Sequence, residues 1–222
     1  MRRRWLLVVL AGLVVVLAGR WAYGYYLLYY KVEPEELLAR ALRDAFAAPS
    51  FRYQVQAELV VEGERRVLSE VVGERDREGN FHFRGTLAGD HVEVYQVGDT
   101  AYLLDSRSGK WLVIPQNELK RQNMLMAEID PLSALEFESR GPALYRGREK
   151  RQHVLEFTAV PANPFLTTWF EEFSYRVWID CRTRRLQKVF VEARSRTNPQ
   201  ARATFTVQLT DYGASLRLEP PA

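Results

Sequence analysis

Residues 51–63 read FRYQVQAELVVEG, and apolar and polar side chains alternate along this stretch. Phe51, Tyr53 and Val55 occupy alternate positions, with Arg52 and Gln54 between them. A period of two is typical of a β-strand with one buried and one solvated face. The stretch therefore predicts a strand of an antiparallel sheet, since such sheets commonly have one apolar and one polar face.

The same alternation recurs along the chain, separated by turn residues such as Gly79-Asn80 and Gly98-Asp99. The further predicted strands are 67–73, 81–87, 91–97, 101–104, 111–114, 141–148, 152–160, 174–181, 186–195 and 201–211. We expect a single antiparallel sheet of about 10–11 strands joined mostly by short hairpins. No break indicates a second domain.

Four helices are expected beside the sheet. Pro34 suits the first position of a helix, and the apolar residues Leu37, Leu38, Ala41, Leu42, Ala45 and Phe46 follow at helical spacing. Residues 116–128 and 130–137 predict two more helices. A fourth, opening at Asn163-Pro164, carries the aromatic stripe Phe165, Leu166, Trp169, Phe170 and Phe173. The fold class is therefore α+β.

The N-terminal segment indicates a membrane anchor. Arg2, Arg3 and Arg4 precede the apolar run 5–19, and Arg20 is followed by an aromatic-rich stretch to Tyr30. Positive charge before such a run keeps the N-terminus cytoplasmic. We expect residues 1–30 to form a retained single-pass signal-anchor helix, 31–33 a linker, and the rest an extracytoplasmic domain at the cell membrane. A cleaved signal peptide is the alternative.

Charge and cysteine content exclude several classes of function. Four of the 31 Lys and Arg residues lie in the anchor, so residues 31–222 hold 27 basic and 28 acidic residues, a net charge of −1. This balance gives no nucleic-acid footprint. The single cysteine, Cys181, rules out an internal disulfide and a Cys-based zinc site. Its place in the pattern predicts a small buried side chain.

No catalytic motif is present. His82, His91 and His153 lie far apart in predicted strands, as expected of surface or hydrogen-bonded histidines, not metal ligands. Gly109-Lys110 lacks the remaining residues of a phosphate-binding loop. Glu171 and Glu172 are expected on the solvated side of a helix. We predict a non-enzyme with no catalytic residues, no cofactor and no metal.

Three further observations concern whole stretches: FRYQVQAELVVEG after the opening helix, GDTAYLLDSRSGKW at 98–111, and RVWIDCRTRRLQKVFVEA at 176–193. Together these stretches resemble the LolA- and LppX-like lipoprotein-carrier half-barrels of bacterial envelopes. The resemblance covers about residues 34–211. It implies a strongly curved antiparallel sheet wrapped around helices over residues 34–212, with an apolar cavity between them and a C-terminal tail at 213–222.

The alternation supplies candidates for the cavity lining. They are Tyr53, Val55, Leu59, Phe81, Phe83, Leu87, Tyr95, Leu103, Trp111, Leu155, Phe157, Val177, Ile179, Phe205, Val207 and Leu209. Helical candidates for covering the cavity mouth are Met124, Met126, Phe165, Trp169 and Phe170. Alternating apolar residues also form ordinary cores, so the cavity itself rests on the resemblance.

Two functions follow from the resemblance together with the anchor. The first is a membrane-anchored, non-catalytic module that holds a lipid or acylated ligand in the half-barrel. The second is an envelope sensor or regulatory protein that docks on a membrane-bound signalling partner. A lipid, the membrane and an envelope protein are thus the expected partners, with no nucleic acid.

Overall fold

The computed structural model describes residues 12–24, 32–115 and 131–221. Residues 12–24 are helical and form α1. The remaining helices are α2 (Pro34–Phe46), a 3-10 helix (Pro131–Leu135) and α3 (Pro164–Trp169). The strands are β1 (Phe51–Val61), β2 (Glu64–Arg75), β3 (Phe81–Leu87), β4 (Asp90–Val97), β5 (Thr100–Asp105), β6 (Lys110–Ile114), β7 (Phe137–Arg140), β8 (Leu144–Glu149), β9 (Gln152–Pro161), β10 (Phe170–Asp180), β11 (Leu186–Ser195) and β12 (Ala201–Thr210).

The described strands form one open antiparallel sheet, as predicted. Its order is β6-β5-β4-β3-β2-β1-β12-β11-β10-β9-β7, and β8 also pairs with β9. The first and last strands therefore meet in the middle, where Val55 is paired with Val207. The described residues form twelve strands, not 10–11, because residues 137–140 form β7.

Sheet curvature comes from strand twist together with local irregularities in pairing. The register of β1 and β2 shifts between Ala57 and Glu58. Gly85 in β3 lies against β2 so closely that an added Cβ would sit 2.0 Å from the Glu70 carbonyl oxygen. A side chain is therefore excluded at this point of the sheet.

Helix α2 begins at Pro34, as predicted, with Glu35 and Glu36 in its first turn and Arg43 in its last. This arrangement of charge complements the helix dipole. Most of its apolar stripe is buried in the hydrophobic core, with Leu38 and Ala41 fully inaccessible, whereas Phe46 at its end is 39% exposed. The helix thus covers part of one face of the sheet.

Several predicted elements have different boundaries in the structure. The helix expected over 163–173 ends at Trp169, and Phe170 begins β10, since Tyr175 and Val177 alternate and pair with neighbouring strands. Glu171 and Glu172 are consequently strand residues, and Arg194 pairs with both of them. The helix expected over 130–137 is a 3-10 helix ending at Leu135. β8 starts at Leu144, not Gly141.

Two predicted segments fall on residues that lie partly or wholly outside the described ranges. The helix predicted over 116–128 lies entirely outside the described ranges. The anchor predicted over 1–30 is described only at 12–24. In the described parts of the chain, no helix combines the length and the apolar character needed to cross a bilayer.

Candidate functional site

One face of the sheet, which we call the inner face, carries a continuous apolar row. Residues paired directly across antiparallel strands point to the same side of the sheet. Successive pairings from β4 to β9 link Val92, Gly85, Val71, Val55, Val207, Val189, Val177 and Leu155. Most of this row is fully buried and belongs to the hydrophobic core.

One end of the inner face is closed by packing. Phe51 and Leu38 are inaccessible to solvent, and Leu132 and Leu135 of the 3-10 helix are buried in the same core. Glu35 attaches α2 to the far edge of the sheet: its carboxylate accepts hydrogen bonds from Arg140 Nη2 at 2.6 Å and from the Ala143 backbone N–H at 2.6 Å. The side-chain hydrogen bond from Arg140 and the backbone one from Ala143 lower the pKa of Glu35.

Away from this packing, along the β4–β6 side of the sheet and toward the far ends of β1, β3 and β12, the inner face keeps apolar side chains in contact with solvent. We call this set the open end: Leu59, Leu87, Val92, Leu103, Leu112 and Phe205. Five of them are half-buried, and Leu112 is 52% exposed. Leu166 of α3 is half-buried against the core, and Trp169 is 48% exposed. An incompletely covered apolar surface on a curved sheet is the physical requirement for holding a hydrocarbon chain.

LprF from Mycobacterium bovis is similar in structure, with a TM-score of 0.50 and 14% sequence identity over 86% of this chain and 98% of LprF. Because only 14% of the residues are identical, the structural similarity to LprF establishes the fold and nothing about function. The chain has the LolA/LppX-like half-barrel fold.

Weaker structural matches include two further proteins. One is a LolA superfamily protein from Nitrosomonas europaea, with 10% identity over 86% of this chain and 96% of that one, at a TM-score of 0.35. The other is an outer membrane lipoprotein-sorting protein domain from Vibrio parahaemolyticus, with 9% identity over 82% and 93% of the two chains, at a TM-score of 0.33. No family model and no curated protein matches the sequence.

Most of the predicted lining residues lie on the inner face of the half-barrel. Tyr53, Val55, Phe81, Phe83, Leu155, Phe157, Val177, Ile179, Val207 and Leu209 are buried in its core, with Leu103 and Phe205 packed against them. Leu59 and Leu87 point the same way at the open end. A role of these residues in ligand binding stays a prediction.

The inward orientation predicted for Tyr95 and Trp111 is wrong. Tyr95 is paired with His82 and Tyr102, and Trp111 with Leu104, so both lie on the outer face. There the Tyr95 ring stacks on His82 at 4.0 Å and contacts Trp111 edge-on at 5.5 Å. The alternation in β4 is ambiguous because apolar residues occupy both of its faces. Val94 is paired with Phe83, and this pairing places Val94 on the inner face.

The candidates for covering the mouth are only partly described. Met124, Met126 and the side chain of Phe165 lie outside the described part of the structure. Trp169 is on α3 as predicted, whereas Phe170 belongs to β10 and packs on the core from the inner face. Phe170 is therefore part of the sheet wall, not of a covering helix.

Tyr175 is an inner-face residue that the sequence reasoning missed. Its ring stacks on Phe157 at 5.3 Å and meets Phe137 edge-on at 5.1 Å. The residue is 1% exposed, its hydroxyl has no hydrogen-bond partner among the described residues, and burial raises its pKa. Its alternation with Val177 and Ile179, both of which were predicted to face inward, was the signal that could have found it.

The histidines and the cysteine take structural positions in the half-barrel. His153 is fully buried on the inner face, where Nδ1 lies 3.3 Å from the Tyr145 hydroxyl. His82 lies on the outer face, with Nε2 3.0 Å from Glu93 Oε1, and His91 is exposed. Cys181 is buried as predicted, and burial raises the pKa of its thiol. Among the described residues, no group of three or more potential ligands could hold a metal ion.

Proposed function

We propose that this chain is a membrane-anchored, extracytoplasmic module that holds a lipid or lipid-modified ligand against the inner face of the half-barrel, without catalysing a reaction. The observation that carries the proposal is the open end, where Leu59, Leu103 and Phe205 are only half-buried on a face that is tightly packed elsewhere. Exposed hydrocarbon at this position is costly unless another apolar group covers it. Burial contributes roughly 25 cal/mol per Å² of apolar surface.

The side chains at the open end favour an acyl chain over a polar ligand. Leu87, Leu103 and Leu112 present only hydrocarbon, which offers no hydrogen bonds to orient a polar group. The Tyr175 hydroxyl, which has no hydrogen-bond partner among the described residues, belongs to a side chain that is only 1% exposed. We therefore propose that ligand chains lie along the open end while any head group stays in solvent.

The proposed anchor places this binding face beside a source of lipid. Arg20 occupies the position at which a lipoprotein signal would carry an acylated cysteine, so tethering by the polypeptide itself is the consistent arrangement. A permanently tethered half-barrel would receive and present lipid at the outer leaflet. It would not shuttle across the envelope.

Photocrosslinking of the full chain tests the proposal. The protein is reconstituted in nanodiscs whose phospholipid carries a diazirine near the end of one acyl chain, and labelled peptides are mapped by mass spectrometry after irradiation. We expect labels on β1, β3, β5, β6 and β12 in addition to residues 1–30.

Two neighbouring residues of β6 provide a matched pair of variants. Leu112 is 52% exposed on the inner face, and Val113 is 59% exposed on the outer face. Leu112→Arg should reduce labelling of the half-barrel at least fivefold, while Val113→Arg should leave it unchanged. Labelling confined to residues 1–30, or equal effects of the two variants, would overturn the proposal.

A further inference from the structure

Two turns at one end of the sheet concentrate positive charge in a nearly neutral domain. They join β8 to β9 and β10 to β11, and residues 148–151 and 180–188 hold seven basic and two acidic residues. We call this set of cations the basic end: Arg148, Lys150, Arg151, Arg182, Arg184, Arg185 and Lys188. The local excess of positive charge cannot come from overall basicity, since residues 31–222 carry a net charge of −1.

The two turns are fixed to one another by hydrogen bonds. The Cys181 backbone N–H donates to the Arg151 carbonyl oxygen at 2.8 Å and so ties the turns together. Within the second turn, Asp180 Oδ1 accepts hydrogen bonds from the Arg182 and Thr183 backbone N–H groups at 2.9 and 2.7 Å. The cations therefore project from an ordered platform, which reduces the entropy lost on binding.

Five of the seven cations of the basic end form no ion pair within the described part of the chain, unlike arginines elsewhere in the sheet. Arg52, Arg140 and Arg194, for example, each form ion pairs. By contrast, no ion pair joins a described residue to any of five members of the basic end. These five are Lys150, Arg151, Arg182, Arg185 and Lys188.

The two acidic residues in these turns are already engaged. Asp180 holds its own turn, as described above, and Glu149 Oε2 accepts a hydrogen bond from Trp178 Nε1 at 2.9 Å. Two of the cations form cation–π contacts: the Arg185 guanidinium lies 5.4 Å from the centre of the Tyr212 ring, and Lys188 Nζ lies 4.8 Å from the centre of the Trp178 ring. The positive charge thus remains available to an external anion.

Two adjoining grooves run past these cations. One, of about 600 Å³, is lined by Lys150, Arg151 and Arg182, and the other, of about 660 Å³, by Arg185 and Lys188. Both grooves include Gln152, Thr183 and Gln187, so together they form a continuous track. A concave track suits an extended chain better than a flat membrane surface.

We propose that the basic end is a docking site for an extended acidic segment of a protein partner. Guanidinium groups pair with carboxylates in a bidentate geometry, and the amides of Gln152, Gln187 and Gln208 beside them can bond to a peptide backbone. This inference does not depend on lipid binding, because the basic end and the open end occupy different parts of the sheet.

Fluorescence anisotropy tests the proposal on the full chain in a non-ionic detergent, with fluorescein-labelled deca-glutamate as the probe. Binding should weaken at least tenfold between 50 and 300 mM salt, because salt screens charges on the surface. A triple variant, Lys150→Gln with Arg151→Gln and Arg182→Gln, should lose at least tenfold in affinity at the lower salt concentration.

A matched triple variant controls for net charge. Arg40→Gln, Arg65→Gln and Arg217→Gln remove the same charge from side chains that are 61%, 75% and 84% exposed elsewhere. This control should retain wild-type affinity. An equal loss in both triple variants would show general electrostatic attraction and overturn the proposal.

Two further measurements identify the class of partner without relying on a variant. Hydrogen exchange of the wild-type chain should slow at residues 148–152 and 180–188 when the peptide binds, and unchanged exchange there would contradict the proposal. Polyphosphate of equal charge and vesicles containing phosphatidylglycerol serve as competitors. Tighter binding of either one than of the peptide would overturn the assignment to an acidic polypeptide.

Discussion

Asp76 connects the β2–β3 turn to the C-terminal residues. It is 2% exposed, and its carboxylate accepts hydrogen bonds from the backbone N–H groups of Glu78, Asn80 and Leu218 at 3.0, 2.9 and 3.1 Å. The Asn80 side chain donates a fourth at 2.9 Å. Burial acts to raise the pKa of Asp76, but these hydrogen bonds outweigh it, and the net pKa is lowered.

We predict that Asp76 makes the stability of the protein sensitive to acid. Because its pKa is lower when folded, its stabilising effect is complete above the unfolded value of about 4 and is lost as pH falls through the folded value. Asp76→Asn should reduce the free energy of unfolding at pH 7 by about 2 kcal/mol and flatten its dependence on pH at the acidic end. Urea unfolding of the full chain, followed by tryptophan fluorescence from pH 3 to 7, measures both effects.

Asp99→Asn is the control for this prediction, because Asp99 is an exposed residue in the β4–β5 turn. Its unfolding curves should match those of the wild type at every pH. Coincident curves for the Asp76 and Asp99 variants would contradict a stabilising role for the buried carboxylate.

Individual residues show how far alternation alone can be trusted. Val177 and Ile179 face inward as predicted because the opposite phase of this strand is polar or charged at Ser174, Arg176 and Asp180. Trp178 is the exception, but the pattern has one dominant phase. Tyr95 was placed on the wrong face because Val92 and Val94 occupy the opposite phase of the same strand. When both phases of a strand are apolar, pairing with the neighbouring strands decides which one is buried.

At the scale of elements, the attachment of α2 to the sheet depends on Glu35. Arg140 and the Ala143 backbone both donate hydrogen bonds to its carboxylate; Arg140 is the last residue of β7, and Ala143 immediately precedes β8. Glu36 is a neighbouring exposed residue in the same first turn. The two glutamates therefore have similar interactions with the helix dipole but different tertiary contacts.

We predict that Glu35→Ala destabilises the protein by roughly 1 kcal/mol more than Glu36→Ala, because it leaves the Ala143 N–H without its acceptor. The difference should shrink as pH falls below about 4, since the pKa of Glu35 is lower in the folded state. Urea unfolding of both variants at pH 7 and pH 3 provides the measurement. Equal destabilisation at pH 7 would show that the tertiary hydrogen bonds contribute nothing.

The boundary between α3 and β10 illustrates why some elements could not be predicted. Residues 165–173 have a helical apolar stripe, but Phe173 also begins the alternation that continues through Tyr175 and Val177. Locally, both periods are satisfied. Pairing of β10 with β9 and β11 favours the strand from Phe170 onward, and those partners are remote in sequence.

At the scale of the whole molecule, a central feature is the pairing of β1 with β12. The two strands are joined in register from Arg52 with Thr210 to Val61 with Ala201. Hairpins then extend outward from this pair in both directions. The half-barrel therefore cannot be complete until the last strand is in place.

We predict that the N-terminal segment is retained as an anchor. Full-length protein expressed in a bacterial host should stay in the membrane pellet after carbonate extraction, and its intact mass should include residues 1–30. A chain in which a cleavable signal peptide replaces residues 1–30 should instead be released after export. Recovery of the native chain as a soluble species lacking its first residues would show that the segment is a cleaved signal peptide.

The sequence by itself determined the antiparallel sheet, most strand positions, the start of α2 at Pro34 and the half-barrel fold. These features follow from local periodicity and turn chemistry, which are fixed by neighbouring residues. Only the tertiary structure decided that Tyr95 and Trp111 face outward, that Phe170 begins a strand, and that the cations near Arg151 and Arg182 come together. Each of these depends on pairing between segments distant in sequence, because strand registry is set by partners that no local pattern contains.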